Sequence, residues 1–389
     1  MTTAVTAQIN GTVAPGFESV RDAFAANFER EGSYQEIGAA IAVYHRGRQV
    51  ADLWGGFANR ARTRPWTRDS LVNVWSATKG LTATAVARLV DQGRLSYGAR
   101  VVEVWPQFAA GGKGDVTVAQ VMSHQAGLPG FAEPTTIDDQ FDWLGCVGKL
   151  ERQTPAWAPG EATSYHAMTY GWLAGEIVRR ADGRTLGRFV REEICGPLGA
   201  DMFIGLPEAL EPRVAELLGP KVEPDPAAVA GLAPPALMAL ANPAQEPESP
   251  NRRAWRLAEI PAANGHASAQ GLARLYAALG AGGALDGVTI LSPETVRLMT
   301  TPATANDRTD MFLGFTDSWG MGVALNTPGI YGPNPRAFGH SGWGGSFGCA
   351  DPDAQIAIGY VCNQMGPDLV GDPRTAGLCG AALESAKVA

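Results

Sequence analysis

The spacing of apolar residues in the first hundred positions predicts a helix, a hairpin and a second helix. One helical face is apolar at Phe17, Val20, Phe24 and Phe28. Residues 39–56 contain two apolar runs separated by a polar turn at residues 45–48, which is typical of a β-hairpin. From Ser76 to Gln92 there is no proline, one face is apolar and Gly93 follows, so a helix with a glycine stop is predicted.

Helical patterns continue through the middle of the chain, and strand patterns return near its end. Helices are predicted at residues 116–124, 169–182 and 269–278. Strands are predicted at residues 319–325, 340–350 and 355–363, with an Asp-Pro-Asp turn at 351–353 between the last two. Strands near both ends that enclose helices predict an α/β (α+β) protein. Residues 1–80 and 261–389 would form the sheet-containing domain, and residues 81–260 a mostly helical inserted domain.

The segment from Pro207 to Pro261 is rich in proline and lacks periodicity. Long irregular loops are usually functional or disordered, so a substrate-covering segment and a solvated linker are both open. Residues 227–244 are uncharged, but Gly231 and three prolines would interrupt a membrane helix. We therefore expect an apolar loop or flap there and no membrane span.

Composition is that of an ordinary globular protein: 389 residues, 45% hydrophobic and 18% charged, with a net charge of −8. An acidic chain without a basic cluster is not expected to bind nucleic acid. The five cysteines are odd in number and include no CxxC pair, which argues against a zinc site and a disulfide framework. Because the N-terminus shows no secretory signal, we expect a cytoplasmic protein.

The segment Ser76-Ala-Thr-Lys79 is the first candidate for chemistry. Side chains at i and i+3 share a helical face, so the Lys79 amine can approach the Ser76 hydroxyl. A serine needs a neighbouring base to become a nucleophile, and an amine acts as that base when burial lowers its pKa. The structural alternative is that Ser76 caps the helix and Lys79 faces solvent.

Two further segments contain groups suited to catalysis. Tyr165 stands where a loop meets a helix, and its phenol would be able to pass a proton to a leaving group, although core tyrosines are more common. In residues 338–348, glycines permit close approach of a ligand to the backbone, whose N–H groups would complete an oxyanion hole. The alternative there is a tight strand edge or bulge that requires glycine.

Residues 344–348 also match G-x-S-x-G, the nucleophile elbow of α/β-hydrolases, with Ser346 as the serine. That fold orders its triad with the histidine after the serine, and none of the five histidines follows Ser346. The match also lies inside a predicted strand hairpin, so we reject it. The histidines are scattered and no HExxH is present, so no metal site is predicted.

Together, the three ordered segments resemble the serine β-lactamase-like superfamily of penicillin-recognising enzymes. The chain is most similar to the family VIII carboxylesterases, which resemble class C β-lactamases. Their motifs occur in the same order: Ser-x-x-Lys, a tyrosine motif and a Lys/His-x-Gly strand. Residues 121–129 also resemble a helix end and loop common in this superfamily. The resemblance implies a β-lactamase/transpeptidase-like fold, with an antiparallel sheet flanked by helices.

The same resemblance implies the site. Ser76 corresponds to the acylated nucleophile, Lys79 to its activating partner, and Tyr165 to a general base or proton relay. The amides of Ser76 and Trp343 would form the oxyanion hole. The residues expected to bind substrate are His340, Ser341, Gly342, Trp343, Gly344, Asn264 and His166.

Two departures from the superfamily pattern bear on substrate. Ala167 replaces the asparagine of the Tyr-x-Asn motif, and His340 replaces the lysine of the Lys-Thr-Gly strand. A histidine is mostly neutral at pH 7, so both changes weaken recognition of penicillins and cell-wall peptides.

We therefore predict a cofactor-free serine hydrolase that cleaves short-acyl carboxylic esters through an acyl-enzyme on Ser76. Weak β-lactam hydrolysis stays open as a side activity. Its partner would be a small-molecule ester, while the oligomeric state is not indicated by the sequence. The alternatives are a β-lactamase or amidase/D-peptidase, an acyltransferase, and a binding module that has lost turnover.

Overall fold

The computed structural model describes residues 7–222, 231–304, 308–316 and 318–389. Its strands are β1 (Ile9–Val13), β2 (Gly38–His45), β3 (Arg48–Gly56), β4 (Val72–Asn73), β5 (Met202–Phe203), β6 (His266–Ala267), β7 (Ala284–Leu285), β8 (Val288–Thr289), β9 (Ala324–Leu325), β10 (Phe338–Ser341), β11 (Phe347–Asp351) and β12 (Ile356–Cys362). Seven of them form one antiparallel sheet in the order β1-β3-β2-β12-β11-β10-β9. A three-stranded sheet has the order β4-β6-β5, and β7 pairs with β8.

The helices lie on both faces of the large sheet and in the middle of the chain. They are α1 (Glu18–Glu29), α2 (Thr78–Asp91), α3 (Val118–Met122), α4 (Trp143–Arg152), α5 (Thr169–Asp182), α6 (Leu186–Val190), α7 (Gly196–Leu198), α8 (Pro234–Ala241), α9 (Arg253–Leu257), α10 (Ala269–Gly280), α11 (Pro293–Met299) and α12 (Pro373–Val388). None of the helices in the described residues is both long and apolar enough to span a membrane.

Alternate residues of β2 face two different hydrophobic cores, because side chains alternate between the faces of a strand. One set packs with α10, including Ala40, Ala42, Tyr44, Leu272 and Tyr276. The other set packs with α1 and α12, including Ile41, Val43, Phe24 and Leu378. Every residue of β2 is buried, so helices cover the centre of the sheet on both sides.

The predicted hairpins are confirmed. Arg46 and Gly47 have φ values of 51° and 73° between β2 and β3, as a two-residue hairpin turn requires. Between β11 and β12, the side chain of Asp351 accepts hydrogen bonds from the amides of Asp353 and Ala354, at 2.9 and 3.0 Å. Aspartate side chains commonly stabilise turns in this way.

Several predicted elements are shorter or divided. Residues 116–124 form only α3, and residues 319–325 form a strand only at β9. The segment 340–350 is broken by a turn between β10 and β11, since the glycines there adopt positive φ values. The predicted apolar loop at 227–244 is corrected at residues 234–241, which form α8; its prolines occupy the first turn, where they are tolerated. Residues 227–230 of that segment lie outside the described residues.

The large sheet draws its strands from residues 9–56 and 324–362, and α2 begins the long helical middle. The boundaries at residues 80 and 260 stay a prediction. Almost all residues of α2 are buried, so this helix lies inside the molecule. Its first turn is close to the three-stranded sheet. That first turn follows Ser76 directly.

Candidate active site

Ser76 lies where a short strand, a 3-10 turn and a long helix meet. β4 is followed by the 3-10 turn Trp75–Ala77, and then by α2. Trp75 has a φ of 44°, a left-handed conformation that is rare for a large residue. The Thr78 hydroxyl donates to the Trp75 carbonyl and accepts a 2.8 Å hydrogen bond from the Gly265 amide. These contacts hold the turn that carries Ser76.

The amine of Lys79 is fully buried among three oxygen atoms. Lys79 Nζ lies 3.0 Å from Ser76 Oγ, 2.7 Å from the carbonyl oxygen of Ala167 and 2.9 Å from that of Ala262. Burial lowers the pKa of Lys79 well below its usual value. The expected approach of Lys79 to Ser76 is present, and the alternative of a solvent-facing lysine is wrong.

A neutral amine in this position has a defined orientation. Its two N–H groups can donate to the carbonyls of Ala167 and Ala262, which leaves its lone pair facing the Ser76 hydroxyl. Such an amine accepts the hydroxyl proton as the serine oxygen attacks an electrophile. The arrangement therefore suits activation of Ser76.

Tyr165 lies beside the same amine. Lys79 Nζ is 4.7 Å from the centroid of the Tyr165 ring, and this ring stacks on Trp319 with centroids 5.4 Å apart. The backbone amide of Tyr165 donates to Asp310 Oδ1 at 3.0 Å, which fixes the loop. The structure thus brings the three residues predicted to be catalytic into one cluster.

Two buried histidines support this cluster. The His166 amide donates to His124 Nδ1 at 3.1 Å, and the His124 ring contacts that of Tyr165 with centroids 4.9 Å apart. His166 Nε2 accepts from the Leu128 amide, and His166 Nδ1 donates to the Ser164 carbonyl. The backbone engages both ring nitrogens of this fully buried residue, and a contact of His166 with substrate stays a prediction. His124 was not among the predicted site residues.

Asn264 shapes the backbone near the site, and its contact with substrate stays a prediction. Its side chain is fully buried. The amide donates to the carbonyls of Trp255 and Ala258, and Oδ1 accepts from the Ile260 amide at 2.9 Å. These bonds shape the segment that delivers the Ala262 carbonyl to Lys79.

Gly344 belongs to the loop between β10 and β11 but does not offer its backbone to a ligand. Its carbonyl accepts from Arg374 at 2.7 Å, and its amide donates to the Asp368 carbonyl at 3.2 Å. Its φ of 93° favours glycine. These contacts shape the loop, and a contact of Gly344 with substrate stays a prediction.

His340 lies at the site as a neutral group. Burial and the nearby Lys79 amine lower the pKa of His340 to about 3. Its Nδ1 donates to the Ser341 carbonyl at 2.8 Å, and its buried Nε2 has no hydrogen-bond partner within the described part of the chain. His340 can therefore accept a hydrogen bond but provides no fixed positive charge.

The end of β10 runs directly against the turn before Ser76. A Cβ atom at Gly342 would come within 2.0 Å of the Val74 carbonyl oxygen, so only glycine fits. The ring of Trp343 lies 5.2 Å from that of Trp75, centroid to centroid. The backbone of Trp343 therefore borders the turn that carries Ser76, as two converging amides of an oxyanion hole require.

The rival nucleophile Ser346 has no support in the geometry. Ser346 is buried in the sheet, where its hydroxyl accepts a 3.3 Å hydrogen bond from the Cys362 amide. Across residues 7–222, 231–304, 308–316 and 318–389, no cluster of three or more His, Cys, Asp or Glu side chains is arranged to hold a metal ion.

A narrow cavity opens beside Ser76. Tyr165, His340 and Ser341 line it, together with residues that sequence reasoning missed as site residues: Leu313, Trp319, Ala324, Ile330, Tyr331, Leu369 and Val370. Most of these belong to irregular segments without periodicity. The sequence contained only a weak sign that these residues line a cavity. Large apolar side chains stand there among glycines and prolines, as in Gly329-Ile330-Tyr331-Gly332.

Comparison with known proteins agrees with this architecture. The β-lactamase family model matches residues 20–379. The esterase/β-lactamase LipL of Mycobacterium tuberculosis is 38% identical, with 93% of this chain and 85% of LipL aligned.

Two solved structures are similar over nearly their whole length. A family VIII carboxylesterase has a TM-score of 0.91 and 44% identity, covering 97% of this chain and 100% of its own. A penicillin-binding protein homologue from Caulobacter crescentus has a TM-score of 0.90 and 44% identity, with the same coverage. The resemblance inferred from the three motifs is confirmed, and the chain belongs to the β-lactamase family, whose β-lactamase/transpeptidase-like fold it shares.

Proposed function

We propose that this protein is a carboxylesterase that cleaves short-acyl esters through an acyl-enzyme on Ser76. The observation that carries the proposal is the 3.0 Å contact between Ser76 Oγ and a fully buried lysine amine. Similarity to a family VIII carboxylesterase and to the esterase/β-lactamase LipL supports ester hydrolysis. The proposed partner is a small-molecule ester, and no cofactor is proposed.

In the proposed acylation step, Ser76 Oγ attacks the ester carbonyl carbon while Lys79 Nζ takes the hydroxyl proton. The amides of Ser76 and Trp343 stabilise the negative charge on the carbonyl oxygen. Collapse of the tetrahedral intermediate breaks the bond to the alcohol oxygen. Lys79 and Tyr165 return the proton to that oxygen, and the alcohol leaves.

Deacylation uses the same groups in reverse. Water attacks the acyl carbon, its proton passes to Lys79 and Tyr165, and the proton then returns to Ser76 Oγ as the acid leaves. One neutral lysine can serve both half-reactions because each returns its proton before the next begins. The burial that lowers the pKa of Lys79 favours this neutral form.

The lining of the cavity supports an uncharged ester over a β-lactam. His340 is neutral, and Ala167 offers only its backbone carbonyl, already bonded to Lys79. A carboxylate-bearing lactam would find no fixed cation among the side chains that line the cavity. Weak lactam hydrolysis stays within the proposal, since LipL is named for both activities.

We also propose a cytoplasmic location. All five cysteines are free and buried, as is common in a reducing compartment.

The test is hydrolysis of p-nitrophenyl butyrate by the purified protein and two serine variants. Ser76→Ala should lower the rate at least about 10³-fold, because it removes the nucleophile. Ser346→Ala is the matched control, a buried serine outside the cavity, and should retain activity. Mass spectrometry should detect an acyl adduct on the Ser76 peptide. Full activity of Ser76→Ala would refute the assignment.

A further inference from the structure

The cavity beside Ser76 shares one side with a second, larger groove. The groove adjoins the end of β10 and the start of α12. Four residues line both spaces: Ile330, Ser341, Leu369 and Val370. Three of these are aliphatic, and we call Ile330, Leu369 and Val370 the wall.

The wall comes from two loops, each with anchored neighbours. In the loop between β9 and β10, Asn326 accepts from the Tyr331 amide at 2.9 Å and donates to the Gly332 carbonyl at 2.6 Å. In the loop between β12 and α12, Asp368 accepts from the Tyr34 hydroxyl at 2.5 Å. The three wall side chains themselves are only half-buried. Replacing these side chains with alanine therefore removes atoms that lie between the cavity and the groove. The hydrogen bonds of Asn326 and Asp368 that hold the two loops remain.

The chemistry of the groove favours an apolar chain. Besides the wall, it is lined by Pro328, Ala376 and several glycines. Its two carboxylates are already engaged, Asp368 with Tyr34 and Asp372 with Arg374 at 2.6 Å. Both carry negative charge, so an anionic group would be repelled there. An uncharged hydrocarbon chain gains from leaving water.

The other arm of an ester has a separate space. A wide cleft of about 1100 Å³ is lined by Trp343 and by polar and proline residues, including Arg60, Pro220 and Gln245. The leaving alcohol must depart after acylation, whereas the acyl group stays attached to Ser76 through both half-reactions. Ser76 lines the narrow cavity, so we assign the acyl group to it and the alcohol to the side of Trp343, which borders the cleft.

We propose that the wall sets the acyl-chain length of the substrate, and that the groove behind it is a second acyl subsite which a trimmed wall opens. This inference rests on the proposed esterase function. The native enzyme then prefers acyl groups that end at the wall, and longer chains must displace it. Removing wall atoms extends the cavity into the groove and admits longer straight chains.

The test compares p-nitrophenyl acetate, butyrate, octanoate and decanoate in the wild type and in Leu369→Ala/Val370→Ala. The wild type should have a kcat/KM for octanoate at least tenfold below that for butyrate. The double variant should raise the octanoate-to-butyrate ratio at least tenfold. Adding Ala376→Phe, which fills only the groove, should reverse this gain. Thermal unfolding checks that each variant is folded.

Leu144→Ala is the matched control, since Leu144 is exposed and lines neither the cavity nor the groove. Its octanoate-to-butyrate ratio should stay within threefold of the wild-type ratio. An unchanged ratio in the folded double variant would overturn the inference, and so would a gain that Ala376→Phe does not reverse. Acetate esters of alcohols of increasing length test which end of the ester lies in the cavity. If the double variant changed kcat/KM only across this alcohol series, the assignment of the acyl group to the cavity would be overturned. If the wild type hydrolyses none of these esters, the proposed function itself fails.

Discussion

The buried guanidinium of Arg374 donates a 2.7 Å hydrogen bond to the carbonyl of Gly344, the residue that follows Trp343. Arg374 is also paired with Glu36 at 2.9 Å and with Asp372 at 2.6 Å. This buried cluster of Arg374, Glu36 and Asp372 therefore holds the loop that contains Trp343 in place. The geometry of the proposed oxyanion hole depends on a residue far along the chain.

Arg374→Lys should lower kcat for p-nitrophenyl butyrate about tenfold with little change in KM. Lysine keeps the charge but loses the planar fork that reaches the carboxylates and the Gly344 carbonyl together. Steady-state kinetics give both constants. Arg297→Lys, at an exposed ion pair, is the control and should behave as wild type. A tenfold rise in KM with unchanged kcat would contradict a role in positioning the loop.

Glu36 should make the free energy of unfolding depend on pH in a distinctive direction. Burial raises the pKa of Glu36 from 4.5 to about 7, although Arg374 opposes this. The folded state thus binds a proton that the unfolded state releases, so the contribution of Glu36 is lost as pH rises from about 4.5 to about 7.

Glu36→Gln removes this dependence. Relative to wild type, its stability should improve with rising pH by up to about 1.4 kcal/mol per pH unit within that window. Urea unfolding at several pH values measures the difference between the two proteins. Taking the difference matters because buried histidines with lowered pKa values, such as His166 and His266, give the opposite slope in both proteins. A difference independent of pH would refute the prediction.

Lys79→Met should reduce kcat/KM for p-nitrophenyl butyrate by about 10²- to 10⁴-fold, the usual contribution of a general base. Methionine fills similar space but cannot accept the proton of Ser76. Lys79→Arg should be equally impaired, since arginine does not deprotonate in proteins. Lys387→Met, at an exposed lysine, provides the control. Activity of Lys79→Arg near the wild-type level would exclude the proposed role.

Thr78→Val should destabilise the protein by about 1–3 kcal/mol, because it leaves the Gly265 amide without an acceptor in the interior and removes the hydroxyl hydrogen bond to the Trp75 carbonyl. It should also lower kcat, since the strained Trp75 no longer holds Ser76 in place. Thr78→Ser keeps the hydroxyl and should restore most of both quantities. Urea unfolding and steady-state kinetics provide the measurements. If Thr78→Ser lost as much stability and kcat as Thr78→Val, the effect would come from side-chain packing and not from the hydroxyl hydrogen bonds.

Local sequence rules predicted part of the site because they describe neighbours along the chain. The approach of Lys79 to Ser76 follows from i, i+3 spacing on a helix. The same rules predicted the hairpin of β2 and β3 but overextended the strand at 319–325. Trp319 forms only an isolated bridge with Ala324, and residues 321–323 form a bend.

The sequence by itself determined the motifs, their order and thereby the family, because these depend on residue identity and short spacing. Only the tertiary structure decided the state of the lysine. The carbonyls that orient its amine come from Ala167 and Ala262, 88 and 183 residues away, and its pKa is lowered by burial. Folding likewise placed His166 and Asn264 in hydrogen bonds with the backbone and brought Ile330 and Leu369 to one cavity. Burial and distant contacts arise from packing, which short spacing along a chain does not encode.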